Sequence, residues 1–317
     1  QPSEGITVAH NTSTQQGYGP DSADIVSILP TETWSCPLRY AGFEQLLACS
    51  LGYMAKRLSS VLQPSVVAAG VYRHLLEMDT GLSTASPWVT ADGFIGAELT
   101  PSLYRVRRGT AVVWRQVSSW EHRSTMVNKL TITGAPGVIQ ASCDLLGYDR
   151  TRMPSVNTPV VMQGLPINTV PNVLFRHGVL RIAPYSISVP LGDGDIVRPE
   201  QWQLSLDNYL EASPGLRTGY APEEYEKSQA SPVTFGVTMP RYQEDPRSTQ
   251  LLHTPSLMAS LTFTGPLIGQ TGHSYKVILW MPSVVLSAVD ARMQGMAAAK
   301  LTHQGVLHLP AATPSGF

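Results

Sequence analysis

Gly192-Asp193-Gly194-Asp195 places two carboxylates in a Gly-rich turn, the way calcium loops begin. The further oxygen ligands and the distal Glu of such a loop are missing, so the stretch reads as a solvated turn between strands. The eight histidines are dispersed, and His303 and His308, five apart, cannot share one face of a strand. Trp114, Trp120, Trp202 and Trp280 sit in strand-like runs. A sheet face carrying them could stack on sugars or on single-stranded nucleic acid, but filling a sandwich core is the better reading. Arg105, Arg107, Arg108, Arg115 and Arg123 form a locally basic stretch that serves a solvated strand face or a subunit contact as well as a phosphate track. Cys36, Cys49 and Cys143 are too scattered for a zinc knuckle or a disulfide framework and read as reduced, packed thiols. No His-Glu-x-x-His, Gly-x-Ser-x-Gly or phosphate-cradling Gly loop occurs. Catalysis, cofactors and metals are therefore not expected. Asn11-Thr12-Ser13 is a glycosylation sequon with no secretory signal to give it meaning.

The composition agrees with a framework protein. Of 317 residues, 43 % are hydrophobic and only 14 % charged, and Gly and Pro number 26 and 25. A charged fraction well under the usual quarter disfavours helical bundles, and abundant turn formers favour β structure. The net charge of −1 gives no basic surface to drive nucleic-acid binding. The longest apolar run, Val277 to Val289, is broken by Pro282, Ser283 and Ser287 and is too short to span a bilayer. A sizeable chain with so few surface charges is suited to burying its surface against copies of itself.

Residues 1–30 are rich in Ser, Thr, Gln and Gly and read as an N-terminal arm. Thr31 to Leu38 reads as a strand, followed by a helix over Gly42 to Leu62 whose stripe is Phe43, Leu47, Leu51, Met54, Leu58 and Leu62. Strand-like runs follow at Val71–Glu77, Leu103–Val106, Ala111–Ser118, Val127–Thr133 and Val138–Leu146. Turn signals stand at Arg107–Thr110 and Gly134–Gly137. In the last run Ile139, Ala141, Cys143 and Leu145 alternate with polar neighbours, which predicts one buried face. Pro154, Pro159, Pro166 and Pro171 mark a linker over 151–172. Beyond it Val173–Ile182, Trp202–Leu210, Val233–Met239, Tyr275–Val289 and Gln294–Leu309 read as strands, and Thr249–Leu261 as a helix begun or broken by Pro255.

The halves repeat the same order of elements: strand, Pro-Arg-Tyr turn, helix, two strands. The turns are Pro37-Leu38-Arg39-Tyr40 and Pro240-Arg241-Tyr242. Aligning Met126–Leu146 with Met281–Leu301, a shift of 155 (281 − 126), matches apolar positions. The expected architecture is mainly β, with two tandem β-sandwich domains over 31–150 and 173–317, each carrying a flanking helix.

The hairpin Val127-Asn128-Lys129-Leu130-Thr131-Ile132-Thr133 … Val138-Ile139-Gln140-Ala141-Ser142-Cys143-Asp144-Leu145-Leu146-Gly147 resembles the tail tube proteins of long-tailed bacteriophages (siphoviruses) and gene-transfer-agent-like particles. Trp34 to Gly52, Val173-Leu174-Phe175 and Trp202 to Glu211 are similar to further stretches of that family. Lys129 and the turn Ala135-Pro136-Gly137 depart from its pattern, and 64–101 has no counterpart. The resemblance implies a non-enzymatic virion subunit. It would assemble with itself into rings, three chains forming a pseudo-hexamer or six chains a hexamer. The rings would stack as a tail tube, a conduit for DNA ejection made in the host bacterial cytoplasm. A tape-measure protein and the passing genomic DNA, bound without sequence preference, are the implied contents of the lumen; no membrane is involved. The mixed-charge connection Glu211 to Ser231, with Arg217, Tyr220, Glu223, Glu224 and Tyr225, is the expected contact to an adjacent ring. The N-terminal arm is a second candidate, and 64–101 a first-half counterpart. Competing readings are a tail terminator or baseplate hub of the same fold, or a β-sandwich carbohydrate-binding module stacking sugars on Trp120 or Trp202.

Overall fold

The computed structural model describes residues 3–11, 22–43, 46–47, 50, 65–68, 71–73, 109–115, 118–147, 149–152, 158, 160–161, 169–186, 189–213, 224–227, 233–239, 256–292 and 300–307. They are mainly β. The strands are β1 (Ser3–Asn11), β2 (Ser22–Pro37), β3 (Ser65–Ala68), β4 (Val71–Arg73), β5 (Gly109–Arg115), β6 (Ser118–Gly134), β7 (Gln140–Leu146) and β8 (Asp149–Arg152). After them come β9 (Gly178–Pro184), β10 (Ile196–Val197), β11 (Gln201–Asp207), β12 (Leu210–Ser213), β13 (Glu224–Lys227), β14 (Val233–Met239), β15 (Ser256–Leu267), β16 (Ser274–Arg292) and β17 (Lys300–Leu307).

One antiparallel sheet runs in the order β1-β2-β7-β6-β11-β14-β17-β16-β15-β9-β10, with β5 and β8 added to β6. The order contains a repeat. A hairpin (β1-β2, then β11-β14) is followed by the last and middle strands of a meander (β7-β6, then β17-β16). The middle strands are long because each passes from one partner to the next along its length. β6 pairs β5 over its first half and β7 over its second; β16 divides in the same way between β15 and β17.

The repeat extends to a shared irregularity. One extra residue interrupts the ladder at Asn128 in β6 and at Ser287 in β16. Past it Leu130 faces Cys143 and Val289 faces His303, which sets the shift at 159 for the middle strand (289 − 130) and 160 for the last (303 − 143). Met126 therefore corresponds to Val285, four residues from the match with Met281 that the letters favour. On the hairpins, Ser3 pairs Thr31 as Ser205 pairs Thr234, a shift of 202 on the first strand (205 − 3) and 203 on the second (234 − 31).

Of the arm expected over 1–30, Ser3–Asn11 (β1) and the first half of β2 are strand, and 1–2 and 12–21 lie outside the described residues. β-branched residues such as Ile6, Val8 and Ile25 stand among the polar ones and favour extended backbone. The helix expected over Thr249–Leu261 is strand from Ser256 onward, and 249–255 lie outside the described residues. Gly109 and Thr110, expected in a turn, open β5. Of the expected helix, Leu46, Leu47 and Ser50 are helical, with Leu47 N–H donating to Phe43 O at 3.1 Å; 51–62 lie outside the described residues, as do Leu103–Val106.

Alternation places the core. Ile139, Ala141, Cys143 and Leu145 are all buried, as are Val233, Phe235 and Val237 on β14. Leu257 to Leu261 are buried without interruption, so that stretch of β15 is covered on both faces. Trp202 on β11 meets Phe263 on β15 with ring centroids 5.9 Å apart, and Tyr40 stacks on Tyr275 at the same distance. These strands are not neighbours in the sheet, so the sheet folds across its own face and residues of both halves share one core. Positions 169–175, at the end of the expected linker, join it: Val173 is fully buried and bonds Leu38 O and Ile139 N through its backbone.

Candidate functional site

The feature with most functional content is a pair of sheet edges and the internal seam that resembles their union. Where the two halves meet, β6 and β11 run antiparallel from Trp202 opposite Gly134 to Asp207 opposite Lys129. Three contacts close this seam. The Trp202 indole, 2 % exposed, lies over Gly134, where an added Cβ would come within 2.1 Å of Nε1. The hydroxyls of Thr131 and Ser205 are 3.3 Å apart. Buried Asn208 donates from Nδ2 to Val127 O at 2.8 Å and Ser50 O at 3.0 Å, while Leu210 N–H donates to Asn128 Oδ1 at 2.8 Å. Tyr209, at φ 46, turns the chain from β11 into β12 beside them.

The same two kinds of edge are open at the ends of the repeat. β1 pairs β2 on one side and has no partner on the other among the described residues. On β16, the described pairing with β15 ends at Val285, and among the described residues 286–292 pair only β17. By the shifts above, Ser3–Gly5 of β1 are the counterpart of 205–207 at the end of β11, Val8–Asn11 that of β12, and 288–292 the counterpart of 129–133. Each open edge is the half of a β6–β11 seam that lacks its mate. Unpaired edges of this length present N–H and C=O groups that recruit another strand.

Of the residues expected at an inter-ring contact, Glu224 and Tyr225 are among the described residues. Glu224 and Tyr225 open β13, which pairs β12, so Glu211 and its neighbours are hairpin rather than free loop. Arg217, Tyr220 and Glu223 lie outside the described residues, as does most of 64–101. The first hairpin matches the second in build: positions 12–21 connect β1 to β2 and 214–223 connect β12 to β13, ten positions each. At the shift of 202, Gly17, Tyr18, Pro20 and Asp21 fall on Gly219, Tyr220, Pro222 and Glu223. That duplicated Gly-Tyr-x-Pro-acid motif was readable by comparing the chain with itself at this shift; a shift of 155 hides it.

Some of the chemistry candidates have structural partners, while the side chains of Trp114, Trp120 and the Arg105–Arg123 stretch lie outside the described residues. Trp202 is buried and unavailable to a sugar. Arg181 Nη2 donates to Asp193 Oδ1 at 2.9 Å, and Asp195 Oδ2 accepts from Gly192 N–H at 2.8 Å, so both carboxylates of the Gly-Asp-Gly-Asp turn hold that turn together. Among the described residues, no three His, Cys, Asp or Glu side chains gather as metal ligands. Burial, reinforced by Cys36 and Asp144, pushes the Cys143 thiol up to about 12, and burial raises Cys36 against a smaller opposing pull from Arg39. These thiols stay protonated and are poor nucleophiles. Buried Glu32 and His122 face each other at 3.5 Å. The repeat puts buried Phe235 and Met281 at the corresponding positions of the second half.

No family model and no curated protein matches the chain. No helix among the described residues is long and apolar enough to cross a membrane.

Proposed function

We propose that this chain is a self-assembling tube subunit of a phage-type tail, built as two tandem copies of the tube fold with a flanking helix each. The observation that carries the reading is the strand-order repeat ending in two complementary open edges. A second copy adds its β1 to 286–292 of β16 as β11 adds to β6, in the same antiparallel sense. Such a head-to-tail contact leaves the opposite edges open, so it propagates until a ring closes.

Geometry favours three chains. Eight strands, from β1 to β16 along the repeat, belong to each chain. Three chains give 24 strands, and at about 4.8 Å per strand with a tilt of ~40° the barrel is roughly 48 Å across at the backbone. Side chains lining both walls leave a bore of roughly 35–40 Å, wide enough to pass a nucleic-acid duplex. Six chains would double the backbone diameter. The near-neutral charge suits a conduit, since retained phosphate contacts would slow passage. In this reading the hairpin tips, with Arg217, Tyr220, Glu223, Glu224 and Tyr225, stack ring on ring. A tape-measure protein and then DNA occupy the bore, and the protein resides in the virion tail.

The seam inside the chain supplies the test. Thr131 opposite Ser205 corresponds to Asp290 opposite Ser3 of the next copy. Oxidised S3C/D290C protein is expected to run on non-reducing gels as two-chain and three-chain species and nothing larger, while T131C/S205C closes within one chain. If S3C/D290C stays single-chain while the internal control closes, the reading fails.

A further inference from the structure

We infer that the open polar face of β2-β7-β6-β11-β14 is the wall of the bore, and that Lys129 keeps this wall from holding a passing nucleic-acid duplex. This rests on the tube reading and names the residues that meet the tube's contents. Strand alternation turns Leu130, Ile132, Ala141, Cys143 and Phe235 into the core. On the other face the register sets Ser142, Thr131, Ser205 and Thr234 opposite one another in a row. Thr133, Gln140 and Gln203 of the same face are exposed. Its polar groups also bond each other across strands, Thr131 and Ser205 through their hydroxyls and Gln201 Nε2 donating to Thr238 Oγ1 at 3.3 Å.

The core decides which face turns inward. Leu180 of β9 and Leu257, Leu261 and Phe263 of β15 pack over the apolar face. Packed layers lie about 10 Å apart, so a layer turned inward would narrow the bore by roughly 20 Å and close it to a duplex. The polar face is then the inner one, and it runs unbroken across the β6–β11 pairing that each contact between chains repeats.

One row of this wall is charged. Lys129 stands opposite Asp144 on β7 and opposite Asp207 on β11. Both carboxylates are held without it: Asp144 Oδ1 accepts from Thr33 Oγ1 at 2.8 Å, and Asp207 Oδ1 from Tyr209 N–H at 3.0 Å. Lys129 is exposed between them, and side chains opposite each other on adjacent strands lie about 5 Å apart, close enough for their charges to offset. A lone lysine repeated down a tube would retain phosphates at every ring. Between two carboxylates it does not, and the one net negative charge that remains is screened within roughly 8 Å at physiological salt.

Two measurements on assembled tubes test this. T133C, Q203C and I278C, each alone, are labelled with a small maleimide and with a polymer-bearing one too wide for the bore; Ile278 is exposed on the covering layer, beyond Val277 and Leu279 that pack on the core. The small reagent is expected to label all three above the wild-type background. The large one is expected to label I278C at least tenfold faster than the other two, a difference that vanishes in unassembled chains. In D144N/D207N each Asn Oδ1 can still accept its hydrogen bond. Such tubes are expected to retain short DNA duplexes, protected from nuclease, at least tenfold more than wild type and to release them as salt rises, with either single variant giving a smaller gain. Adding K129Q is expected to return retention to the wild-type level. Equal labelling of all three cysteines by the large reagent in tubes overturns the assignment of the wall. D144N/D207N tubes that retain no more DNA than wild type, or retention that K129Q leaves unchanged, overturn the role of Lys129. Tubes form in each of those cases, whereas a wild-type protein that forms no rings overturns the tube reading itself.

Discussion

Gly134→Ala probes the seam between the halves at its tightest point. The new methyl would stand 2.1 Å from Trp202 Nε1 and 2.2 Å from Cε2, where ordinary contact needs about 3.4 Å or more. The indole must retreat by more than an ångström. It cannot do so freely, because it is buried and its ring lies 5.9 Å from that of Phe263. Overpacking of this kind costs about 1–3 kcal/mol, and a rigid obstructing ring puts the expectation near 3. Trp202→Ala empties the same site and costs about 3–5 kcal/mol. With the indole gone, Gly134→Ala meets open space, and its cost is expected to fall to within ~0.5 kcal/mol of zero. The cycle then has a coupling of about 2–3 kcal/mol. Urea melts followed by far-ultraviolet circular dichroism measure all four proteins without relying on the deleted fluorophore. An unchanged cost of Gly134→Ala in the Trp202→Ala background would refute the packing argument and with it this account of the seam.

Asn208→Ala removes the donor that serves Val127 O and Ser50 O, and is expected to lower stability by about 2–4 kcal/mol in the same melts. Glu32→Phe with His122→Met copies the second half's solution into the first. The double variant is expected to be neutral or up to ~4 kcal/mol more stable, while either single change, which removes one side of the buried Glu32–His122 contact, is expected to be less stable than the double. The Cys143 thiol titrates near 9.0 when unfolded and at about 12 when folded. Between those values the unfolded chain sheds the proton first, so this contribution to stability is complete below pH 9 and declines as pH rises toward 12. Cys143→Ala should flatten the loss of stability above pH 9, and an identical alkaline slope in both proteins would contradict the assignment.

The sequence exposes those parts of the fold where one face is wet and the other dry. Ile139, Ala141, Cys143 and Leu145 alternate cleanly and lie on β7, and Val233–Met239 coincides with β14. Where both faces are covered the period disappears. Leu257, Met258, Ala259 and Leu261 are buried on β15, and a continuous run of that kind carries no strand signature distinct from a helix. β6 is longer than its apolar letters imply because buried Glu121 and His122 interrupt them. β1 is obscured by the polar letters around Ile6 and Val8, which leave no sustained apolar alternation. The repeat itself was legible in the order of elements. Its register was not, since the extra residues at Asn128 and Ser287 and the different shifts of hairpin and meander leave no single offset for a comparison of letters. The seam and the open edges are properties of pairing between residues about 75 positions apart, such as Thr131 and Ser205, and no local pattern encodes them.

The rotational symmetry of an assembled ring, imaged end-on by cryo-electron microscopy, tests the central claim most directly. The account predicts three chains around a continuous 24-stranded barrel, β1 of each chain lying against 286–292 of the next. A ring of any other symmetry, or one whose inner wall breaks between chains, contradicts it.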